Sequence, residues 1–561
     1  MDDGYKLPGG NGFSLNSGWG YWLMRGFFFI TIAVTILGGY AVGQFRGLGM
    51  EQSMEYAEVA RNLADGNGFV TRSKTPFDVW FLQKHGKAVD ASGFIPEVDL
   101  EPGYPVVLSW IYRVMKPEYK VSHDFGISDA EWKAVVPLGV ILTLLTAAAL
   151  YWVGRGVFGE RVAWIAVLVY LVSNLTLSLM ISGLPVPLLS LLVTLACGLA
   201  MRCIYYSAVG GHPIRLVLSL AGAGLCVAGA ILTNYAMVAV FVGGLVLLGT
   251  QLQRFRWGGV ALFGLVVVLV SGVWLAHNQH AGLGMWAAAP YRALHDSILY
   301  PDNSLDRCIA PNFNSYRVSA ALRHKMFSGI AETLDLRDAL AGGLIICFFV
   351  LAVFRNYTAR EGNNVRWFTF GVLVLLLLLS PLLQSGRDVL PALFPLVVLL
   401  GVSAFINYVD REDYFTQGLQ SLLVGVLVAV SALPAAALAL QGRSTAYPPY
   451  YAPLQNFVAS MINEDEAVLT DVPHAIAWYG GKGAILVPSK ISDVTKLGCN
   501  KIGGVYLTQA TKPIGAGQDD WYDLFYQNAP QGFSYTNAIE LPSRHGGQIF
   551  LSDRPRWQGA E

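Results

Sequence analysis

Residues 135–153 read Val-Val-Pro-Leu-Gly-Val-Ile-Leu-Thr-Leu-Leu-Thr-Ala-Ala-Ala-Leu-Tyr-Trp-Val, an unbroken uncharged run between Lys133 and Arg155. A helix needs about 20 apolar residues to cross the roughly 30 Å of hydrocarbon in a bilayer. The run is therefore read as a membrane span over 133–153, and its neighbours repeat the pattern. Earlier in the chain lies Trp22 to Phe45; later come 161–182, 184–207, 215–233, 236–252 and 257–276, then 338–355, 366–384, 389–408 and 418–440. The expected fold class is mainly α, a polytopic bundle of about eleven spans carrying a small C-terminal α/β domain. The first run follows a polar leader, 1–21, with no small-residue cleavage site after it, so it reads as a retained span.

Composition agrees. Of 561 residues, 54% are hydrophobic and 14% charged, where soluble proteins carry about 25% charged residues. Mean hydropathy is +0.47. The 38 basic and 38 acidic side chains cancel, which excludes a nucleic-acid binder working by bulk charge. Six cysteines without a Cys-x-x-Cys pair exclude a disulfide scaffold and a zinc ribbon.

Lys and Arg in short loops set the orientation. With the N-terminus inside, the inner connections hold Arg155 and Arg161, Arg202 and Arg215, Arg254 and Arg256, Arg355 to Arg366, and Arg411. The short outer connections 183–187, 234–235 and 385–388 hold one basic residue, Arg387. The leader 1–21 is then cytoplasmic, and the transmembrane domain 22–441 places the loops 46–132 and 277–337 on the outer side. The tail 442–561 joins them there, behind a Tyr- and Pro-rich linker, 442–453. Short β-like runs are expected at Ala467–Thr470, Ala484–Val487, Gly504–Leu507 and Gln548–Leu551. Cys308 and Cys499 both fall outside, where they could pair or stay apart, and the Asn356-Tyr-Thr sequon falls inside.

Four polar clusters are not explained by the membrane. After the first span, Met54, Ala57, Val59, Ala60, Leu63 and Ala64 give an amphipathic helix, ended by Gly66 and Gly68. Glu51, Glu55 and Glu58 share one of its faces, either a solvated surface or a carboxylate poised at the membrane edge to take a proton. The second cluster is Glu97-Val-Asp-Leu-Glu-Pro-Gly-Tyr-Pro105. The third is Trp274-Leu-Ala-His-Asn-Gln-His280, followed by Arg292. The fourth is the turn Gln384-Ser-Gly-Arg-Asp-Val-Leu-Pro391, whose lone arginine breaks the charge bias.

In order, these segments resemble the GT-C type membrane glycosyltransferases, in the branch related to protein mannosyltransferases (glycosyltransferase family 39) and aminoarabinose transferases. The resemblance rests on Glu55-Tyr-Ala-Glu-Val-Ala-Arg-Asn-Leu-Ala-Asp-Gly-Asn-Gly-Phe69, Glu101-Pro-Gly-Tyr-Pro105, Val273-Trp-Leu-Ala-His-Asn278, Arg387-Asp-Val-Leu-Pro-Ala-Leu-Phe-Pro395 and Asp471-Val-Pro-His-Ala-Ile-Ala-Trp-Tyr-Gly480. Two positions depart from that pattern: Glu51-Gln52 stands where an Asp-Glu pair is common, and His277 replaces an arginine. The resemblance implies hexosyl or pentosyl transfer from a polyprenyl-phosphate sugar to a lipid, glycan or protein acceptor at the membrane, with no nucleic acid as partner. It implies Glu51 or Glu55 as base and Asp99 or Glu101 as a second acidic group. Arg387, then His277, with Arg292, would meet the donor phosphate; Tyr56, Tyr104 and Asn278 would touch sugar or acceptor. No cofactor or metal ligand is assigned, although a divalent cation lies within the range of the class. The compact single-chain organisation suggests a bacterial inner membrane, with the tail periplasmic. Two other readings carry different expectations: a transporter or flippase, with ionisable groups at the bilayer midplane, or a non-catalytic envelope component docking through 442–561.

Overall fold

A computed structural model describes residues 18–121, 126–210, 213–313, 315–333, 343–357, 359–383, 387–411, 416–440, 451–497, 501–511, 521–526, 528–529, 533–539, 541 and 547–556. Most of the leader 1–21, most of the linker 442–453, Cys499 and the Arg387 side chain lie outside the described residues.

Among the described residues, seven helices are long and apolar enough to cross a membrane, or eight if one bent pair counts as a span. Three more expected segments fall on shorter apolar helices, Phe29–Gln44, Tyr235–Gln251 and Leu344–Phe354. The chain is an integral membrane protein. Its centre is Val389–Val409, 89% of whose apolar window is buried, while Arg256–His280 and Gln417–Leu440 are only 17% buried and turn their apolar surface outward.

The quoted run forms the helix Val136–Phe158. Pro137 sits in its first turn, where no intrahelical N–H is lost. It stops at Gly159, whose φ of +92° suits glycine and ends the right-handed path. The run 161–182, expected as one span, is instead two helices, Glu160–Val172 and Asn174–Ile181, bent by 56°. Ser173 makes the break with an extended backbone (φ −66°, ψ 133°). The ladder is kept on either side, since Ser173 N–H donates to Val169 O at 3.1 Å and Leu177 N–H to Ser173 O at 3.0 Å. Gly139 packs against the Met180 backbone where a Cβ would collide, so the second half of the pair lies hard against the helix Val136–Phe158.

The polar pieces gather at one end of the bundle. The first loop forms the helix Glu51–Ala64, strands β1 (Val70–Thr71) and β2 (Ser73–Lys74), the helix Pro76–Lys84, strand β3 (Ile95–Pro96) and the helix Gly103–Met115. The tail adds β4 (Ala467–Thr470), β5 (Gly483–Leu486), β6 (Ile502–Leu507), β7 (Asn537–Ile539) and β8 (Ile549–Ser552). All four expected strand runs are present, and β7 joins them.

The six-stranded sheet runs β2-β5-β4-β6-β8-β7. Its first strand comes from the loop, four hundred residues away in sequence: Ser73 pairs with Ala484 and Lys74 with Ile485, in parallel. The tail and the first loop therefore share one sheet. Lys74 is fully buried at that seam, where its ammonium donates to the Ala91 and Gly93 carbonyls, both at 2.7 Å. Such acceptors are what a buried charge requires.

Three further ties hold the tail down. Arg61 donates to the carbonyls of Trp478 and Ala477, both at 2.9 Å. The Trp478 indole donates to the buried Glu131 at 2.7 Å. Arg307 of the second loop donates to Val487 O at 3.0 Å and Pro488 O at 3.3 Å.

Arg61→Met leaves two carbonyls without their donor and should cost about 2–3 kcal/mol. The expected readout is a lower melting temperature in detergent, with faster protease cleavage of the tail. Unchanged values for both would mean that this clamp does not hold the tail.

Candidate functional site

Between the two loops and the tail lies a cavity of about 1080 Å³. Its lining carries ten carboxylates, from Glu51, Glu55, Asp78, Glu97, Asp99, Glu101, Asp296, Asp302, Asp306 and Asp471, against the cations Arg292 and Arg307 and the imidazoles His295 and His474. Tyr235 and Leu383, at the ends of apolar helices, close it toward the bundle.

The helix Glu51–Ala64 lays Glu51 and Glu55 one turn apart along the wall, with the buried Tyr56 beside them. Glu58, expected on the same face, is turned inward and used structurally. It accepts from Thr71 Oγ1 at 2.5 Å, Arg72 N at 2.8 Å and Asn62 Nδ2 at 3.1 Å. Glu55 differs. Among the described residues nothing donates a hydrogen bond to it, and burial, then the negative charges of Glu97, Asp99 and Asp78, push its pKa well above the usual carboxylate range.

The opposite wall is built by turns that aim carboxylates inward. Thr75 and Asp78 form a capping box at the start of Pro76–Lys84, which occupies one Asp78 oxygen. Its other oxygen lies 3.0 Å from Arg292 Nη2. Past β3, Glu97 accepts the N–H groups of Asp99 (2.8 Å) and Leu100 (3.3 Å) and so turns Asp99 toward Arg292. Arg292 Nε donates to Asp99 Oδ1 at 2.7 Å, and the guanidinium also pairs with the second Asp99 oxygen and with Asp306. Glu101 accepts from Tyr235 N at 3.2 Å, tying this wall to the bundle.

Burial is the first cause of each raised carboxyl. It takes Glu97 to about 8, with Asp99 adding to it, and Asp78 to about 7, again with Asp99. Glu101 is pushed to about 7 by burial, partly offset by the Tyr235 N–H. His474, delivered by the turn after β4, moves the other way: burial lowers it to about 4, so it is neutral at neutral pH. Its Nδ1 is buried with no partner among the described residues. Asp471 accepts from the Thr508 and Thr511 hydroxyls, both at 2.8 Å, which makes it a brace for the sheet end.

Of the residues singled out from the sequence, Glu51, Glu55, Asp99, Glu101, Arg292 and Tyr56 come together here. Others do not. His277 is exposed and stacked on Trp274 at 5.0 Å, away from the lining, because it faces outward on the last turn of Arg256–His280. Asn278 is buried, donating to Met285 O at 3.4 Å, and Tyr104 packs edge-on against Tyr56 at 5.4 Å; neither lines the cavity. Arg292, expected on a phosphate, spends its nitrogens on carboxylates. Two further cations of the second loop also stay apart from the lining: Arg323 is exposed on its helix, and Lys325 is buried, donating to Ala293 O at 3.1 Å. Asp78 and Asp306 were missed, while Glu97, His295 and His474 lay in or beside the polar stretches and were given no role. Only Asp78 had a local signal, the Thr75-Pro-Phe-Asp78 cap spacing.

No family model matches the chain, and no curated protein does. Solved structures do. The aminoarabinose transferase ArnT of Cupriavidus metallidurans, bound to undecaprenyl phosphate, superposes with a TM-score of 0.56 at 13% identity, over 97% of this chain and 100% of that one. The oligosaccharyltransferase of Archaeoglobus fulgidus, in complex with zinc and sulfate, gives 0.57 at 11% identity, over 93% of this chain and 72% of that one. The oligosaccharyltransferase AglB of Archaeoglobus fulgidus, in complex with an inhibitory peptide and a dolichol-phosphate, gives 0.54 at 12% identity, over 95% of this chain and 75% of that one. The chain has a GT-C fold. Within this GT-C fold the cavity sits where the two loops and the tail meet at one end of the bundle.

The raised carboxyls bind protons in the folded chain that the unfolded chain releases. Their stabilising contribution is complete below the ordinary carboxylate pKa and lost as pH rises through about 7 and 8. The melting temperature should therefore fall between pH 5 and pH 9, and Glu97→Gln should flatten that slope. A melting temperature that rises over this range would contradict the assignment.

Proposed function

We propose that the protein is a membrane glycosyltransferase that moves a sugar from a polyprenyl-phosphate donor to an acceptor hydroxyl in this cavity. The observation that carries the reading is Glu55: a carboxylate to which no described residue donates a hydrogen bond, raised in pKa, on the wall of a cavity at the polar end of a GT-C bundle. Burial and neighbouring negative charge make such a carboxylate, once ionised, a stronger base for an acceptor proton. The acceptor O–H gives its proton to Glu55 while its oxygen bonds to the anomeric carbon. The bond from that carbon to the phosphate oxygen breaks, and the electron pair leaves with the phosphate. Asp99 or Glu101 positions the acceptor, and Glu51 extends the same wall.

The donor phosphate needs a cation. Arg292 and Arg307 are engaged, by carboxylates and by carbonyls respectively. Arg387 remains our choice: it lies four residues beyond Leu383, which lines the cavity. The solved neighbours were obtained with undecaprenyl phosphate and with a dolichol-phosphate, which supports a polyprenyl carrier. The polar face is proposed to be the outer, periplasmic one of a bacterial inner membrane, from the distribution of Lys and Arg. A transporter is less favoured, since the buried carboxyls cluster in the loops and at span ends rather than along the spans. Against the docking reading, Trp521 of the tail is buried and donates to Pro488 O at 2.8 Å, so it offers no contact surface.

Glu55→Gln should abolish transfer while the protein still inserts and melts as a folded chain. In the wild type, transfer should rise with pH through the raised Glu55 pKa, because the base must be ionised. Comparing glycans and lipid-linked sugars between wild-type and deletion strains reads both donor and acceptor. Full activity in Glu55→Gln removes the base assignment; reporter fusions placing residues 80 and 500 in the cytosol would remove the sidedness.

A further inference from the structure

Three carboxylates from separate stretches of chain converge on the cavity wall: Asp78 in the helix Pro76–Lys84, Asp99 after β3, and Asp306 in the second loop. Hard oxygen ligands gathered in this way commonly hold a divalent cation. Here they hold a side chain. Arg292 is 3% exposed, its Nε and Nη2 face the two oxygens of Asp99, Nη2 also meets Asp78, and Nη1 meets Asp306. The Phe77 ring covers the guanidinium with its centroid at 4.4 Å. His295 Nε2, 2.9 Å from the other Asp306 oxygen, completes the group. Among the described residues, no three His, Cys, Asp or Glu side chains stand disposed around a space that a metal could fill.

We propose that Arg292 is the resident cation of this site, doing for Asp78, Asp99 and Asp306 what a divalent metal ion would otherwise do. A planar guanidinium serves several carboxylates at once through a fixed fork of about five donors, where an ammonium offers about three on a single atom. It also cannot dissociate. A divalent ion approaching these oxygens would meet a fixed positive charge at contact distance, and its ligands would already be taken. The inference stands apart from the proposed transfer reaction, because its tests read metal binding and stability rather than sugar transfer.

The experiment uses the full chain purified in detergent with Mn²⁺ as probe, followed by electron paramagnetic resonance and by melting temperature. The wild type should take up no Mn²⁺ through Asp99, and stripping with EDTA should leave its melting temperature unmoved. Arg292→Met vacates the cage and leaves its carboxylates unpaired, so the melting temperature should fall by roughly 5 °C. Mn²⁺ should then bind and restore at least half of that fall, and adding Asp99→Asn to Arg292→Met should remove the uptake. A purely structural arginine would show the fall without the rescue. The proposal is overturned if folded Arg292→Met binds no Mn²⁺, or if the wild type binds Mn²⁺ and loses it on Asp99→Asn or Asp306→Asn. Should Arg292→Met fail to fold, the wild-type titration still decides, with uptake lost on Asp99→Asn counting against and no uptake through Asp99 counting in favour.

Discussion

A buried positive charge with too little compensation is among the most expensive things a protein can contain, and so is a cluster of buried carboxylates without a cation. Arg292 answers both at once. Its partners come from the first loop (Asp78, Asp99) and the second (Asp306), so the two loops cannot separate without exposing an unpaired charge in a poorly solvated pocket. Everything else at the polar end is arranged around that constraint. The capping box orients Asp78, the Glu97 turn orients Asp99, and His295 steadies Asp306 from the far side.

The tail completes the enclosure by a different physics. Its sheet is hydrogen-bonded to the two-residue strand Ser73–Lys74, and its π-turn Ile476–Gly480 offers carbonyls to Arg61. This gives physical content to the segment Glu55-Tyr-Ala-Glu-Val-Ala-Arg-Asn62. Tyr56, Ala57 and Ala60 are buried in the packing against the helix Gly103–Met115 and the tail. Glu58 and Asn62 hold the backbone of the following turn, and Arg61 holds the tail. Glu55 is left without a hydrogen-bond donor among the described residues. Most of that pattern is therefore scaffold, and its first residue is the one the scaffold leaves free for chemistry.

The bundle was legible because membrane burial writes itself into composition: about 20 uncharged residues in a row admit few other readings. The tail strands were legible for a similar reason, as short β-branched runs between turn residues. The bend at Ser173 left no trace, since a serine in an apolar run neither adds charge nor breaks hydropathy. The edge strand Ser73–Lys74 was hidden because two polar residues carry no period, and their pairing partner lies in another part of the chain. The Arg292 group was hidden for the same reason, with partners such as Asp99 nearly two hundred positions away. His277 misled because it stands where the resembled pattern carries an arginine, whereas the helix end turns it to the surface.

One electrostatic problem remains inside the proposed reaction, and the raised pKa values address it. A cavity with ten carboxylates on its lining should repel a sugar phosphate. At neutral pH, however, Glu97 at about 8 is mostly protonated, while Asp78 and Glu101 at about 7 are close to half so. Asp471 is hydrogen-bonded by threonine hydroxyls, and Arg292 offsets one of the two charges on Asp99 and Asp306. The field felt by an incoming anion is thus far weaker than the residue count suggests. By linkage, an arriving phosphate raises those pKa values further and draws in protons. Burial, which looks at first like a defect of so acidic a site, is then what lets it admit an anionic donor and still keep a carboxylate within reach of ionisation.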